Sequence, residues 1–199
     1  MIMFKPVIID DFLNKTYFDY LDSYLHSYAC EWKFNRNISM GPLAQEGHEP
    51  WKIGCAKGMF DASKQMGFDA TKTEFFLPLC LMTADHFELN GGSCIRCRAD
   101  MTVMSNGVRH NPHVDVGAPH WTAILYFSDT DGDTIIYNER YGQGSRMRQN
   151  LDNDDELTIL ETITPKKNRL VFFDGWHFHT GHSPTTSPNR ILLNMNFAK

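Results

Sequence analysis

The sequence predicts a mainly β protein with α-helices near its N-terminus, built around a β-sandwich or jelly-roll barrel. After residue 93, about eight short stretches rich in β-branched and aromatic residues alternate with turn-forming residues. Short strands at this spacing are typical of sandwiches and jelly rolls. Before residue 93, apolar residues recur at helical spacings. The 199 residues predict one domain, with 1–92 as a helical supporting part and 93–199 as the β core.

The N-terminal part begins with a strand and a helix. Residues 7–13 predict a short strand that leads into a turn, and Asn14 or Thr16 is placed to cap a helix over about 16–29. Four residues at spacings of three and four form the apolar face of that helix: Phe18, Leu21, Leu25 and Tyr28. Residues 30–54 lack a period and predict a loop with one strand near Trp32.

A second helix is predicted within residues 75–89, which are largely apolar. Pro78 lies near its start, where proline is tolerated. The sequence Asn90-Gly91-Gly92 has the residues that commonly end a helix. The predicted helical part therefore ends just before the β core.

The β core is predicted from the pattern of apolar stretches and turns. Asp129 to Asp133 forms a tight turn, and residues 134–137 are expected to pair back across it as a hairpin. Residues 139–156 are polar and predict a loop. The predicted strands cover residues 94–103, 108–115, 121–127, 134–137, 157–163, 169–173, 176–182 and 190–197.

Composition excludes several classes of protein. A formal net charge of −5 disfavours sequence-independent binding of nucleic acid. The N-terminus lacks a charged region followed by a long apolar run, which argues against a signal peptide. No apolar stretch approaches the ~20 residues that span a bilayer. We therefore expect a soluble, cytoplasmic protein without a membrane partner.

The cysteines do not form a recognisable framework. Their number is odd and their spacing irregular, unlike those of a secreted disulfide-bonded protein. Cys94 and Cys97 form a CxxC pair, but positions three apart in a strand face opposite sides. Because there is no second CxxC, we interpret both cysteines as structural.

His113 and Asp115 are the first candidates for a metal site, because residues two apart in a strand share a face. Two histidines and one carboxylate on one face of an octahedron form the site of non-haem Fe(II) oxygenases. The second histidine would be one of a cluster of three, and the spacing within the His113–Asp115 motif does not indicate which: His177, His179 and His182. His110 and His120 flank the motif and would line the mouth of a pocket.

Arg190 is the next candidate residue. Its forked guanidinium can hold a carboxylate through two parallel hydrogen bonds. An arginine at the start of a strand is normally a surface residue or an ion-pair partner. We therefore consider Arg190 a candidate only because of its distance along the sequence from the histidine cluster.

With these residues in place, the sequence resembles the 2-oxoglutarate and Fe(II)-dependent dioxygenases over residues 93–197, in particular the prolyl-4-hydroxylase-like branch. Residues 7–13 show a weaker resemblance to the same family. His179 lies six residues after Phe173 and 11 before Arg190, spacings that the family shares and that His177 and His182 fit less well. The resemblance is carried by His113-Val-Asp115, by Thr122-Ala-Ile-Leu-Tyr-Phe127 followed by Asp131-Gly132, by Asn168-Arg-Leu-Val-Phe-Phe-Asp-Gly175, and by His179 followed by Arg190.

The resemblance implies a double-stranded β-helix, the jelly-roll barrel, with N-terminal helices packed on one side. It implies that His113, Asp115 and His179 bind Fe(II) and are the catalytic residues. It also implies that Arg190, helped by Tyr126, binds the far carboxylate of the cosubstrate 2-oxoglutarate. The expected activity is hydroxylation of an unidentified primary substrate with O2, releasing succinate and CO2.

The resemblance does not identify the primary substrate. Residues 116–120 and 139–156 carry no recognisable substrate signature, and the family's substrate choice resides in such loops. The name prolyl hydroxylase is therefore not carried over. Asp115 disfavours a halogenase, because halogenation requires the carboxylate position to be open for halide.

Two alternative functions remain open at the level of sequence. A cupin-like metalloenzyme would use the same ligands without 2-oxoglutarate, but it would not need a carboxylate-binding residue such as Arg190. A non-catalytic β-sandwich binding module would carry the histidines on its surface. Such a module would not bind Fe(II) or Mn(II) stoichiometrically.

Overall fold

The structure is a computed structural model that describes residues 5–35, 38, 52–69, 73–89, 94–144 and 148–199. Within these residues, two antiparallel sheets form the core and two α-helices lie outside it. The helices are α1 (Lys15–Leu25) and α2 (Leu77–His86). The strands are β1 (Val7–Ile9), β2 (Lys33–Asn35), β3 (Gly54–Asp61), β4 (Cys94–Val103), β5 (His120–Tyr126), β6 (Thr134–Arg140), β7 (Ile159–Ile163), β8 (Leu170–Asp174), β9 (His177–Gly181) and β10 (Asn189–Ala198).

The two sheets face each other as a double-stranded β-helix. The larger sheet has seven strands in the order β1-β8-β5-β10-β4-β3-β2, and the smaller has three in the order β7-β6-β9. Ile124, Val171 and Leu192 of the larger sheet pack against Ile136 and Ile163 of the smaller one. The predicted fold class is confirmed.

One predicted strand is reduced to isolated bridges. The described residues after position 93 form seven strands, whereas about eight were expected. Residues 108–115 are held instead by bridges from Arg109 to His182 and from His113 to both Asn150 and His179. This segment still lies beside β9, where it extends the edge of the smaller sheet.

The predicted hairpin across residues 129–133 is wrong. β5 pairs with β8 and β10 in the larger sheet, whereas β6 pairs with β7 and β9 in the smaller one. The turn therefore carries the chain from one sheet to the other. Gly132 permits a close approach at this crossing, since a Cβ there would lie 2.8 Å from Cδ of Arg190 and 2.9 Å from the carbonyl oxygen of His182.

The helices cover the outer face of the larger sheet. The side chain of Asn14 caps α1 by accepting a hydrogen bond from the backbone N–H of Tyr17 at 3.0 Å. Phe18 is buried and stacks on Phe127, with ring centroids 5.2 Å apart. The helix ends at Leu25 and not near residue 29, so that Tyr28 is exposed. Pro78 lies in the first turn of α2, as predicted.

Strands β2 and β3 extend the larger sheet beyond β4. β2 is the strand expected near Trp32, but β3 was missed. Gly54 and Gly58 interrupt the apolar pattern of β3, which explains the omission. The predicted helix end at residues 90–92 lies outside the described residues. Neither described helix is long and apolar enough to cross a membrane.

Cys94 and Cys97 do not face opposite sides. The register of β4 against β10 shifts by one residue between them, so Cys94 lies opposite Phe197 and Arg96 opposite Asn196. Such a bulge reverses the local alternation of side chains. Both cysteines contact the core beneath the helices, together with Cys80 of α2.

Candidate active site

The structure brings together His113, Asp115 and His179. One ligand atom from each lies within 4.8 Å of the other two. Nε2 of His179 is 3.5 Å from Oδ2 of Asp115, and Nε2 of His113 is 4.0 Å from its Oδ1. The other two histidines of the cluster lie elsewhere: His177 bonds the Tyr137 carbonyl, and His182 accepts a hydrogen bond from Arg109.

The bridges between the 108–115 segment and β9 set this arrangement. His113 and His179 exchange two backbone hydrogen bonds, of 2.9 and 3.0 Å. Val114 points the other way, into a small core with Ile135 and Phe178. Side chains therefore alternate along residues 113–115 although these residues do not form a regular strand. This alternation places the side chains of His113 and Asp115 on the same side.

Each imidazole is oriented by a backbone carbonyl. Nδ1 of His113 is 3.1 Å from the Asn111 oxygen, and Nδ1 of His179 is 3.2 Å from the His177 oxygen. Both Nε2 atoms are thus turned toward Asp115, and Nε2 of His179 is buried without a hydrogen-bond partner in the described ranges. Burial, with a smaller contribution from His179, lowers the pKa of His113 to about 4. The neutral imidazole that a metal requires is the stable form.

Asp115 is held by donors from three neighbouring strands. Arg96 donates to Oδ1 at 2.7 Å, and Asn196 donates to Oδ2 at 3.0 Å. Asn194 and Thr122 add contacts of 3.1 and 3.3 Å to Oδ2. Burial would raise the pKa of the Asp115 carboxyl, but Arg96 and the imidazoles outweigh it and hold that pKa well below its usual range.

These residues fit a divalent metal such as Fe(II). Two imidazoles and one ionised carboxylate form a donor set suited to non-haem iron. The buried Nε2 of His179, which makes no hydrogen bond within the described residues, is an atom that a metal would satisfy.

Arg190 lies in the same cavity as two of the three candidate ligands. The cavity is lined by His113, His179 and Arg190, among other residues. Arg190 is 4% exposed, and its hydrogen bond to Oγ1 of Thr134 measures 2.5 Å. No described carboxylate forms an ion pair with it, and burial lowers its pKa. A buried guanidinium without a counter-ion is a site for an anion.

Tyr126 is buried behind Arg190 and does not line the cavity. Its hydroxyl donates to Oγ1 of Thr134 at 2.6 Å, and the Arg190 guanidinium lies 5.5 Å from its ring centroid. Thr134 receives both donors and itself lines the cavity, so its hydroxyl hydrogen can be donated to a ligand. The sequence prediction missed Thr134, whose only signal was its place as the first residue of a strand after an Asp–Gly turn.

The flanking histidines differ in position. His110 lines the cavity as expected, is 3% exposed, and lies 3.1 Å from the Ser183 hydroxyl. Burial lowers the pKa of His110 to about 3. His120 is fully buried beneath Gly175, where a Cβ would meet its ring, and it does not line the mouth of the pocket.

The described part of the 139–156 loop braces the metal-ligand segment from behind. Leu151 packs near Val114, and its N–H bonds the Pro112 carbonyl at 2.9 Å. Asp154 pairs with Arg109 and accepts a hydrogen bond of 2.8 Å from the Tyr137 hydroxyl. The sequence prediction had assigned this segment only to substrate choice, which remains a prediction.

Comparisons with known proteins agree with this geometry. A family model for the 2OG-Fe(II) oxygenase superfamily matches residues 99–198. The chain is similar in structure to the non-haem α-ketoglutarate-dependent epimerase SnoN from nogalamycin biosynthesis, with a TM-score of 0.63 and 14% identity over 98% of this chain and 76% of that one.

Two hydroxylases are also similar in structure. The Trichoplax adhaerens prolyl hydroxylase, solved with a hypoxia inducible factor peptide, has a TM-score of 0.63 and 13% identity over 97% of this chain and 83% of that one. The viral collagen prolyl hydroxylase of Paramecium bursaria Chlorella virus-1 has a TM-score of 0.54 and 13% identity over 98% and 97% of the chains. The comparison with curated proteins returned no match.

At these identities the structural likeness shows the fold, while the family match covers half of the chain. The chain belongs to the 2OG-Fe(II) oxygenase superfamily, whose enzymes use Fe(II) and 2-oxoglutarate.

Proposed function

We propose that this protein is a hydroxylase that couples decarboxylation of 2-oxoglutarate to oxidation of a primary substrate by O2, with succinate and CO2 as coproducts. The observation that carries the proposal is the buried Arg190, unpaired among the described residues and in the same cavity as His113 and His179. A dicarboxylate that reaches from the metal to this arginine would neutralise it. A cupin-like enzyme without 2-oxoglutarate would have no such requirement.

In this proposal His113, Asp115 and His179 hold the metal. Both imidazoles are oriented by backbone carbonyls, His113 is kept neutral by burial, and the carboxylate is ionised, which are the forms that bind a metal. Bound Fe(II), together with 2-oxoglutarate, supplies the oxidising chemistry with O2.

The far carboxylate of 2-oxoglutarate is bound by Arg190 and Thr134. Arg190 supplies the charge and its free N–H groups, and Thr134 supplies a hydroxyl hydrogen. Tyr126 acts through Thr134, because its hydroxyl already donates to Oγ1 of that residue. This replaces the direct contact by Tyr126 that the family resemblance implied.

In this proposal the described N-terminal residues belong to the same structural unit as the catalytic core. β1 adds to β8, and β3 adds to β4, so the described residues before position 93 support the catalytic core and do not form a separate domain.

Hydroxylation is favoured over other oxidations by two of the similar structures, which are prolyl hydroxylases. SnoN is an epimerase with the same fold, so product analysis must distinguish the two outcomes. A hydroxylated product contains one new oxygen atom from O2, whereas an epimerised product has an unchanged mass.

The test is release of succinate from 2-oxoglutarate by the purified protein with Fe(II) and O2, across a panel of peptides and metabolites. We expect iron-dependent succinate formation that a substrate stimulates, and a product heavier by one oxygen atom. Stoichiometric binding of Fe(II) without any binding of 2-oxoglutarate would contradict the proposal in favour of a cupin-like enzyme.

A further inference from the structure

Two charged residues inside the barrel have no role in the chemistry above. Arg98 and Asp100 lie two apart on β4 and line the cavity that holds His113 and Arg190. Their side chains are 26% and 10% exposed. A barrel of this size is normally filled with apolar side chains, and ionised groups inside it are costly unless they are paired or used.

Arg98 and Asp100 form a side-on pair that uses only part of the guanidinium. Nε of Arg98 lies 2.8 Å from Oδ1 of Asp100, and Nη2 donates to Oδ2 at 2.9 Å. Nη1 makes no hydrogen bond or ion pair with any residue in the described part of the chain. A purely structural ion pair would account for the contacts of Nε and Nη2. It would leave Nη1, at the other edge of the guanidinium, without an acceptor among the described residues.

Strand register separates Arg98 from the proposed cosubstrate carboxylate site. On β10, Asn194 lies opposite Arg98, whereas Arg190 lies opposite Thr102. Four residues along a strand correspond to ~13 Å. Asn194 also contacts Asp115. The backbone of Arg98 is therefore at the level of the metal ligands and ~13 Å along the sheet from that of Arg190.

The described charges around the cavity leave a positive excess. Arg98, Arg190 and Asp100 line it, and Arg96 is paired with Asp115 beside it. Fe(II) and the 2-oxoglutarate dianion would cancel each other. One positive charge then remains among these described groups, where a further anion is favoured.

We propose that the primary substrate carries a carboxylate and that the free edge of Arg98, held by Asp100, binds this carboxylate beside the metal. Arg98 is then a substrate-binding residue and Asp100 a positioning residue that fixes the plane of the guanidinium. This inference rests on the proposed function, since it places the substrate in the same cavity. A free organic or amino acid and an acidic or C-terminal group of a peptide share this chemistry.

The test is a binding screen with Fe(II) and 2-oxoglutarate bound under anaerobic conditions, so that no turnover occurs. One arm uses L-amino acids and monocarboxylic acids, each beside its primary amide. The other arm uses short peptides with free or amidated C-termini and with Glu or Gln side chains. We expect acids to bind in one arm and the matched amides to bind ~10-fold or more weakly, since a charge-assisted contact is lost.

Variants assign the effect to Arg98. Arg98→Gln should weaken binding of the best acid ~10-fold or more and leave its amide unchanged, and Arg98→Lys should restore part of the affinity. Arg169→Gln, which removes an arginine that pairs with Asp10 outside the cavity, is the matched control. Melting temperatures of the loaded proteins show whether each variant is folded.

The outcomes separate this inference from the proposed function. Loss of 2-oxoglutarate binding in Arg98→Gln would overturn the inference by assigning Arg98 to the cosubstrate. Equal binding of acids and amides, or no acid binding to a protein that still binds Fe(II) and 2-oxoglutarate, would also overturn it. A protein that binds neither Fe(II) nor 2-oxoglutarate would instead refute the proposed function.

Discussion

The two ends of the cavity, at which we propose that a metal and a carboxylate bind, are held to different degrees by the described residues around them. At the metal end, the carboxylate of Asp115 accepts hydrogen bonds from Arg96, Asn194, Asn196 and Thr122. At the carboxylate end, Arg190 donates a hydrogen bond to Thr134 and forms no ion pair with a described carboxylate.

This difference means that the contacts at the metal end position the ligands of the metal, whereas the buried charge at the other end contributes affinity for the bound carboxylate. The metal end is held in place by neighbouring strands whether or not an ion is present, so its outer contacts orient the ligands. The carboxylate end is a buried charge that its ligand must neutralise, and the ligand gains affinity by doing so. Substitutions should therefore act separately on metal binding and on 2-oxoglutarate binding.

The largest expected effect is loss of metal binding in His179→Ala. Removing one of three ligands should lower Fe(II) or Mn(II) affinity by more than the ~10–100-fold that loss of an outer contact causes. Anaerobic calorimetric titration measures it. His177→Ala is the matched control, because that imidazole lies on the same strand but bonds the Tyr137 carbonyl. A larger loss in the control than in His179→Ala would show that the ligand assignment is wrong.

Arg190→Gln should weaken 2-oxoglutarate binding ~10–100-fold, since it removes a charge-assisted contact to the far carboxylate. Metal affinity measured without 2-oxoglutarate should stay as in the parent protein. Arg190→Lys keeps the positive charge but not the forked guanidinium. Its affinity for 2-oxoglutarate should therefore lie between those of the parent protein and Arg190→Gln. If the metal affinity fell as far as the 2-oxoglutarate affinity, the two ends would not be independent.

Asn196→Ala tests the outer contacts of the metal end. It removes the 3.0 Å hydrogen bond to Oδ2 of Asp115, and we expect metal affinity to fall ~10-fold. Binding of 2-oxoglutarate to the metal-loaded protein should change little. An unchanged metal affinity would mean that the remaining donors suffice to orient the carboxylate.

Tyr126→Phe should have a smaller effect, confined to the carboxylate end. It removes the 2.6 Å hydrogen bond to Thr134, a neutral contact that contributes ~1 kcal/mol or a several-fold change in 2-oxoglutarate affinity. Thr134→Val should cost more, because it also removes the hydroxyl that faces the cavity. The reverse order would support the direct contact by Tyr126.

The smallest effect at neutral pH is expected for His110→Gln, which should change stability only in acid. Burial lowers the pKa of His110 to about 3 in the folded state, so the unfolded chain binds its proton first, near the ordinary value of 6.5. The stability that neutral His110 contributes is complete above that value and is lost as pH falls from 6.5 toward 3.

Chemical denaturation of the metal-free protein between pH 7 and pH 4 measures this effect. The parent should lose up to ~1.4 kcal/mol more per pH unit than His110→Gln. Parallel curves for the two proteins would show that His110 is protonated equally in the folded and unfolded states.

Much of the fold and part of the site could be predicted from local sequence. Most strands of the core were located by β-branched and aromatic runs between turns, and the cap at Asn14 and the start of α2 were recognised from their residue types. β3 was missed because glycines interrupt its apolar pattern, and β5 and β6 were paired wrongly because a tight turn does not specify which sheet the next strand joins.

The sequence by itself determined the double-stranded β-helix, the chemical types in the metal motif, and, through family spacing, the choice of His179 and Arg190 as candidates. Only the tertiary structure decided that Thr134 stands between Tyr126 and the cavity, that Cys94 and Cys97 share a face, and that Arg98 and Asp100 point inward at the level of the metal ligands. These depend on strand register and on a bulge, which are set by contacts between residues far apart in the chain. Local residue patterns do not contain that information.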